Sequence, residues 1–391
     1  MILLRWVCCI AVAIVVALHS ASALNICVVN RANNPRTASL FSRGLLEAHG
    51  SRHNFTVVLG RGNSSCPTGS QVRLFLLKFV QADFLLRFCT GSLPCILTGD
   101  EKCSAPASQA QWQRLLLNKP TTEHSQQKFI GAATKHPCFA DAVAEKPLEW
   151  EDVVSFIRPN IIARQYYSSK YGDLPALSLG PRFEFDDVSP ALQRSPRRPI
   201  MFNFMGSIRG EDGVEKDRVH MQDVVNGTNW TVPFRFRAFD ELVRTPNNND
   251  VFTYRETLLL SSFTLTPVGT ADDTFRFWEA IAAGSIPIFV RRQLSSRPPR
   301  CPDAFEDVLR TNPPIVILDS WDGLAPFIES VSENDIAATR ARLIQWHTEW
   351  WTNTTRRIDD TIDVELAALR SKHRHAPSSR DECTNLILDP L

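Results

Sequence analysis

The stretch at residues 263–290, FTLTPVGTADDTFRFWEAIAAGSIPIFV, decides the fold class of this chain. Its first apolar segment predicts a buried strand that ends at Val268 and Gly269, and residues 285–290 predict a second buried strand. Between them, apolar residues recur at helical spacing at Phe275, Trp278, Ile281 and Ala282. Gly284 predicts the helix end. Two buried strands joined by a helix predict a parallel crossover unit that is covered on both faces.

Residues with binding chemistry follow the end of the first strand. Asp272, Asp273 and Thr274 are each favourable N-cap residues for the predicted helix. Ligands of parallel sheets bind beyond the carboxyl ends of the strands, and the amides of a helix N-terminus attract phosphates. Arg276 could brace a diphosphate, and Glu279, on the same helix face, could accept hydrogen bonds from both ribose hydroxyls. Spacing alone slightly favours the plainer alternative, an Arg–Glu surface pair.

Longer motifs around this unit resemble the donor-binding signature of the exostosin-type glycosyltransferases. The matching residues are Thr253-Tyr254, Leu258, residues 261–269 (SSFTLTPVG), Phe275-Arg276-x-x-Glu279-Ala280 and residues 284–287 (GSIP). Within that group the chain most resembles the ribitol-phosphate xylosyltransferases, to which residues 203–208 and 315–324 are also similar. Most exostosins carry Pro-Arg-Gly where this chain has Pro-Val-Gly at 267–269, but the xylosyltransferase subgroup shares the loss of that arginine.

The resemblance implies an α/β fold of the GT-B type, in which two doubly wound Rossmann-like domains face each other across a cleft. It implies an inverting glycosyltransferase that uses a nucleotide sugar as its donor and a glycan as its acceptor. The subgroup match implies UDP-xylose as the donor. The narrowest expectation for the acceptor is ribitol phosphate on an O-mannosyl glycan. The implied donor site comprises Arg276, Glu279, Gly269, Thr274, Thr266, Gly206, Ser207 and Arg209. For Gly206 and Ser207, a simple tight turn is the plainer alternative.

No cofactor is expected besides the donor substrate. The chain contains no Asp-x-Asp, which is the metal–diphosphate motif of the other major nucleotide-sugar transferase fold, so no metal site is predicted. Helix amides and cationic side chains would then have to stabilise the leaving diphosphate. The sequence identifies no general base. Asp100 follows a predicted strand, but a carboxylate in such a position is more often simply solvated.

The length of 391 residues fits two domains, and the net charge of +1 excludes a global basic field for nucleic acid. The predicted divisions are an acceptor-side domain at 24–184, a linker at 185–199, a nucleotide-sugar-binding domain at 200–330, helices at 331–375 that pack back on the first domain, and a tail at 376–391. Leu343, Trp346, Trp350 and Trp351 form an aromatic stripe that is typical of core packing. By analogy with two-domain transferases, this stripe would suit the contact with the first domain.

The N-terminal residues 1–23 have the pattern of a cleaved signal peptide or a short signal-anchor that could hold the chain at a membrane. An even number of cysteines remains after that segment: Cys27, Cys66, Cys89, Cys95, Cys103, Cys138, Cys301 and Cys383. Such a set favours disulfides in an oxidising compartment, although buried free thiols are an alternative. Glycosylation acceptors stand at Asn54, Asn63, Asn226, Asn229 and Asn353. We therefore expect the secretory lumen, most of all the Golgi.

Other functions remain open at this stage. The wider family is compatible with another UDP-sugar and a polysaccharide acceptor. A non-catalytic glycan-binding relative would keep the same fold, and release of UDP from a UDP-sugar would separate it from an enzyme. A glycoside hydrolase is the weakest alternative, because it needs two carboxylates facing one bond and the sequence shows no such pair.

Overall fold

The structure is a computed structural model that describes residues 25–30, 50–59, 72–78, 95–98, 130, 147, 161–165, 176–177, 180–181, 185, 197–208, 214–239, 248–269, 273–291 and 305–375. The described residues therefore do not test the predicted disulfides, the predicted targeting segment at 1–23 or the predicted tail at 376–391. Within the described part, no helix combines the length and the apolar character that a membrane crossing requires.

The first sheet is parallel throughout and lies in the N-terminal half of the chain. Its strands are β1 (Asn25–Asn30), β2 (Asn54–Leu59), β3 (Val72–Lys78), β4 (Cys95–Thr98), β5 (Ile161–Gln165) and β6 (Ala176–Leu177). Their order is β2-β1-β3-β4-β5-β6, so the sheet grows outward in both directions from β1 and β3. The predicted strands near residues 24–30, 55–59, 74–80, 96–100 and 160–167 are confirmed to within a few residues.

The second sheet is also parallel and carries most of the described side chains. Its strands are β7 (Ile200–Ser207), β8 (Phe234–Phe239), β9 (Ser261–Leu265), β10 (Ile286–Val290) and β11 (Val316–Leu318). The helices are α1 (Val214–Gly227), α2 (Asn248–Leu260), α3 (Phe275–Ala282), α4 (Glu306–Leu309), α5 (Leu324–Ser330) and α6 (Glu333–His375), with a 3₁₀ turn at Trp321–Gly323 before α5. The order β11-β10-β9-β7-β8 places the reversal of winding between β7 and β9.

The two sheets confirm the predicted α/β class with two doubly wound units. Parallel neighbours require crossover connections, and growth of a sheet in both directions from one point is the property that defines the doubly wound arrangement. In such sheets the crevice beyond the carboxyl ends, at the point of reversal, is where ligands bind. In the second unit this point lies beyond the ends of β7 and β9.

The crossover unit β9–α3–β10 forms because both ends of its helix are specified by local chemistry. Thr274 is the N-cap, with extended backbone angles (φ −123°, ψ 147°), and its side chain accepts from the N–H of Phe277. At the other end, Gly284 has a positive φ of 69° and its N–H donates to the carbonyl of Ile281. The N–H of Ser285 donates to the carbonyl of Ala280, which completes a Schellman motif.

Two arginines, the half-buried Arg198 and the buried Arg340, hold the C-terminal end of α3 from outside the unit. Nη2 of Arg198 donates to the carbonyl of Ala283 at 2.8 Å, and Nε of Arg340, on α6, donates to the carbonyl of Gly284 at 2.9 Å. Cations at the C-terminus of a helix are favourable because they complement its negative dipole end. Burial, with a smaller contribution from the charge of Arg340, lowers the pKa of Arg198 to about 9. The position of α3 is thus fixed by the segment that precedes β7 and by the last helix.

The aromatic stripe of α6 packs inside the second unit, on Trp278 of α3. The ring of Trp278 is fully buried, and the rings of Trp346, Trp350 and Trp351 lie 6.3, 6.1 and 5.7 Å from it, centroid to centroid. The prediction of core packing is confirmed. The analogy that placed these tryptophans against the first domain is wrong, because α6 presents this stripe to α3 before it reaches the first sheet.

A later part of α6 makes the contact with the first unit through carboxylates. Asp359 is 1% exposed and accepts hydrogen bonds from Oγ of Ser51 at 2.8 Å and from the N–H of Arg52 at 2.7 Å. The guanidinium of Arg52 also bridges Asp360 and Asp363, at 2.8 and 2.9 Å. Ser51 and Arg52 directly precede β2, so this polar cluster attaches α6 to the first sheet.

Candidate functional site

Arg276 lies over the carboxyl end of β7, beside the point where the winding of the sheet reverses. Its Nη2 donates to the carbonyl oxygen of Met205 at 2.8 Å, and its Cζ lies 4.5 Å from the centroid of the Phe204 ring. The Nε of Arg276 is buried and has no hydrogen-bond partner among the described residues. The guanidinium is therefore held by a backbone carbonyl and an aromatic face and not by a carboxylate.

Gly206 makes room for this guanidinium. It lies inside β7, so the alternative of a simple tight turn does not apply to it. A Cβ built on Gly206 would overlap Nη2 of Arg276, and the Cζ of the same arginine would be 3.2 Å away. Any other residue at this position would push Arg276 away from the strand. The absence of a side chain at Gly206 thus allows Arg276 to lie against the end of the sheet.

A second arginine, Arg218 of α1, reaches the same place and was not predicted from the sequence. Its Nη1 donates to the carbonyl of Ser207 at 2.8 Å, and its Nε donates to the carbonyl of Val268 at 3.2 Å. Ser207 ends β7 and Val268 follows β9, so Arg218 spans the carboxyl ends of the two strands that flank the reversal. The sequence contains little signal for Arg218, because α1 is largely polar and has only a weak apolar face.

The two guanidiniums influence each other electrostatically. Burial, followed by the nearby charge of Arg276, lowers the pKa of Arg218 to about 10, against an opposing effect of Asp217. Oδ1 of Asp217 accepts from the indole N–H of Trp321 at 2.8 Å. Neither Arg218 nor Arg276 forms an ion pair with a carboxylate in the described part of the chain. With a pKa of about 10, Arg218 stays protonated at neutral pH, so its positive charge lies close to the guanidinium of Arg276 at the end of the sheet.

Thr274 and Gly269 lie in the connection between β9 and α3, near the two arginines. The hydroxyl oxygen of Thr274 accepts from Phe277 at 3.4 Å as the N-cap, so its proton remains available to a ligand. The carbonyl of Val268, directly before Gly269, is one of the acceptors that hold Arg218. Asp273 is 3% exposed and accepts from the indole N–H of Trp278 at 2.6 Å, so the structure uses Thr274 as the cap and Asp273 as the partner of the buried tryptophan.

Thr266 differs from the expectation for a ligand-binding hydroxyl. It is 2% exposed, and both its N–H and its hydroxyl donate to the carbonyl of Ile288, at 2.9 and 2.8 Å. The proton of this hydroxyl is therefore used to join β9 to β10 and is not available to a donor. Arg209, Asp100 and Asp272 lie outside the described residues.

Glu279 is placed one helical turn after Arg276 and is 1% exposed. Its Oε2 accepts from the hydroxyl of Tyr254, on α2, at 2.6 Å. The ring of Phe185 packs edge-on against Tyr254, with centroids 6.1 Å apart. The carboxylate is therefore not part of an Arg–Glu surface pair, and contact with a ribose would require its covering neighbours to move.

Together these residues can bind an anion that carries two adjacent phosphates. The carbonyls of Met205 and Ser207 are two residues apart on one strand, which separates them by about 7 Å. The two arginines that they hold are thus close enough to reach one diphosphate. Among the described residues, no group of three or more His, Cys, Asp or Glu side chains could hold a metal ion.

Comparison with known proteins finds a family model that matches the second unit. Residues 183–366 match the family model described as "RXYLT1 C-terminal domain". The chain is 24% identical over 173 residues to "Ribitol-5-phosphate xylosyltransferase 1" of Danio rerio, an alignment that covers 42% of this chain and 38% of that protein.

Two solved structures of an α1,3-fucosyltransferase, one of them with GDP, each align with 87% of this chain and 92% of their own. Their identities to this chain are 12% and 11% and their TM-scores are 0.37 and 0.34. The similarity to the RXYLT1 C-terminal domain covers residues 183–366, a range that includes Arg218 and Arg276.

Proposed function

We propose that this chain is a glycosyltransferase that uses a nucleoside-diphosphate sugar as its donor. The observation that carries the proposal is the pair Arg218 and Arg276 at the carboxyl ends of β7 and β9, where neither guanidinium has a carboxylate partner among the described residues. Both arginines are half-buried, and removing a cation from water without a counter-charge costs free energy that a phosphate ligand offsets. The similarity of residues 183–366 to the C-terminal domain of a xylosyltransferase family supports the same chemistry.

The narrower proposal is transfer of xylose from UDP-xylose to a glycan that carries ribitol phosphate, in the lumen of the secretory pathway. It is supported by the name of the zebrafish relative and by the Pro-Val-Gly, Arg-x-x-Glu-Ala and Gly-Ser-Ile-Pro motifs that this chain carries at 267–269, 276–280 and 284–287. The targeting pattern of residues 1–23 supports the location.

In the proposed reaction, a hydroxyl oxygen of the acceptor attacks the anomeric carbon of the donor sugar. The bond from that carbon to the diphosphate oxygen breaks, UDP leaves with the bonding electrons, and the anomeric configuration inverts. A general base takes the proton of the acceptor hydroxyl. Negative charge grows on the diphosphate as it leaves, and Arg218, Arg276 and the hydroxyl of Thr274 are placed to stabilise that charge.

A thermal-shift plate with UDP-xylose, other UDP-sugars, UDP and GDP tests the proposal. A ligand that binds only the folded state raises the melting temperature in proportion to the logarithm of its concentration over Kd. We expect UDP and one UDP-sugar to raise the melting temperature, and the stabilising sugar to release UDP when an acceptor is added. Stabilisation by UDP-sugars without any release of UDP, across acceptors that include ribitol phosphate, would favour the non-catalytic glycan-binding relative.

The exchange Glu279→Gln is expected to weaken UDP binding by about 10-fold. Glutamine keeps the size of the side chain and an oxygen that can accept from Tyr254, but it removes the charge that strengthens hydrogen bonds from ribose hydroxyls. Isothermal titration with UDP measures the change, and Glu256→Gln, an exposed position on α2, is the matched control. Unchanged UDP affinity in Glu279→Gln would leave Glu279 a purely structural partner of Tyr254.

A further inference from the structure

We infer that Arg218 is a second phosphate-binding residue, and that Arg218 and Arg276 together make this site selective for two adjacent phosphates over one. The inference rests on the proposed function and assigns to α1, which precedes the matched signature motifs, a direct part in donor binding. The ligand class is a nucleoside diphosphate or inorganic pyrophosphate, as opposed to a monophosphate.

The geometry that supports the inference is the way in which Arg218 is held. Two of its nitrogens donate to backbone carbonyls that belong to different strands, Ser207 at 2.8 Å and Val268 at 3.2 Å. Its Nη2 makes no hydrogen bond among the described residues. A guanidinium fixed on two sides loses little conformational entropy when a ligand binds, so its remaining donors are organised in advance.

The charges around Arg218 support the same conclusion. Arg276 is the nearby cation that most disfavours the charged form of Arg218, and the opposing carboxylate, Asp217, is already bonded to Trp321. Two cations that repel each other gain more from an anion placed between them than either gains alone. A diphosphate carries enough charge and length to contact both guanidiniums, whereas a single phosphate reaches one of them well.

The exposed Lys216 provides a matched control on the same helix. Lys216→Ala removes one positive charge two residues from Arg218, at an exposed position of α1. Two replacements of Arg218 separate charge from geometry. Arg218→Lys keeps the charge but loses the planar fork that holds two carbonyls, and Arg218→Met keeps the apolar stem without the charge.

The test is isothermal titration of the full chain and its variants with UDP, UMP, inorganic pyrophosphate and inorganic phosphate. For the wild type we expect UDP and pyrophosphate to bind at least about 10-fold more tightly than UMP and phosphate. Arg218→Met should lose about 10- to 100-fold in UDP affinity and much less in UMP affinity, with Arg218→Lys between the two. Lys216→Ala should bind all four ligands like the wild type.

The outcomes separate this inference from the proposed function. If the wild type binds pyrophosphate and phosphate with equal affinity, the inference is wrong. The inference is also wrong if Lys216→Ala and Arg218→Met lose the same amount of UDP affinity. If Arg218→Lys still transfers sugar and keeps the wild-type preference for UDP over UMP, the proposed function holds but Arg218 is excluded as a phosphate-binding residue. Pyrophosphate binding that depends on Arg218, without any turnover of UDP-sugars, would keep the inference and refute the transferase.

Discussion

Replacement of Arg276 by alanine is expected to reduce kcat/KM for sugar transfer by at least about 100-fold, while the protein remains folded. The expected loss is large because, in the proposed reaction, this guanidinium stabilises the negative charge that grows on the leaving diphosphate. The structural contribution of Arg276 is small by comparison, since it consists of one hydrogen bond to the carbonyl of Met205 and the contact with the ring of Phe204. Steady-state kinetics of UDP release, beside a thermal melt of the same sample, measure both effects.

Two further variants make this prediction specific to position and geometry. Gly206→Ala should lower activity in the same direction, because its new Cβ displaces the guanidinium without removing the charge. Arg342→Ala, at an exposed position of α6, removes the same charge elsewhere and should keep full activity. Wild-type kinetics in a folded Arg276→Ala protein would exclude Arg276 from the donor site and, with it, the assignment of α3 as the donor-binding helix.

Replacement of Trp278 by alanine is expected to lower the free energy of unfolding by about 3–5 kcal/mol. The indole is fully buried among Trp346, Trp350 and Trp351, and its N–H satisfies the buried carboxylate of Asp273. Truncation leaves a cavity at the contact of α3 with α6 and removes a hydrogen bond from a group that cannot reach water. Denaturant unfolding followed by circular dichroism measures the loss as a lower midpoint concentration.

Trp278→Phe separates the two causes of that loss. Phenylalanine fills most of the cavity but cannot donate to Asp273, so the loss should fall to about 1–3 kcal/mol, which is the cost of removing one hydrogen bond to a buried carboxylate. Val364→Ala, an exposed position on the same long helix, should change the free energy of unfolding by less than about 0.5 kcal/mol. A Trp278→Ala protein as stable as the wild type would show that α6 does not need this ring to pack on α3.

Local patterns predicted much of the fold because they act over a few residues. The strand β9, the cap at Thr274, the end of α3 at Gly284 and the strand β10 all follow from short-range propensities and appear where they were expected. Helix α1 and strand β8 were missed. The alternation of phenylalanine and arginine in β8, FRFRAF, is a strand signal that was available in the sequence, whereas α1 is largely polar and gives little periodic signal.

The position of Arg276 in the first turn of a helix could be predicted from the sequence, but the residues that its side chain contacts could not. Its place in the first turn of α3 follows from the sequence, while its contacts with Met205 and Phe204 join residues about seventy positions apart. The contact of Arg218 with Val268 joins residues 50 positions apart and forms only because β7 and β9 are neighbours in the sheet, so the sequence did not predict it. The burial of Glu279 against Tyr254 and the use of the Thr266 hydroxyl within the sheet also depend on neighbours that spacing does not reveal.

The sequence by itself determined the parallel α/β class, the crossover unit and the helix whose first turn carries Arg276, because caps, glycines and apolar periodicity act through local backbone preferences. Only the tertiary structure decided that the tryptophan stripe of α6 packs on Trp278, that Asp359 meets Ser51 and Arg52, and that Arg218 joins Arg276. The physical reason is the order of the strands. Winding in both directions from β7 and β9 brings the loops after these two strands together, and no pattern within either segment encodes that meeting.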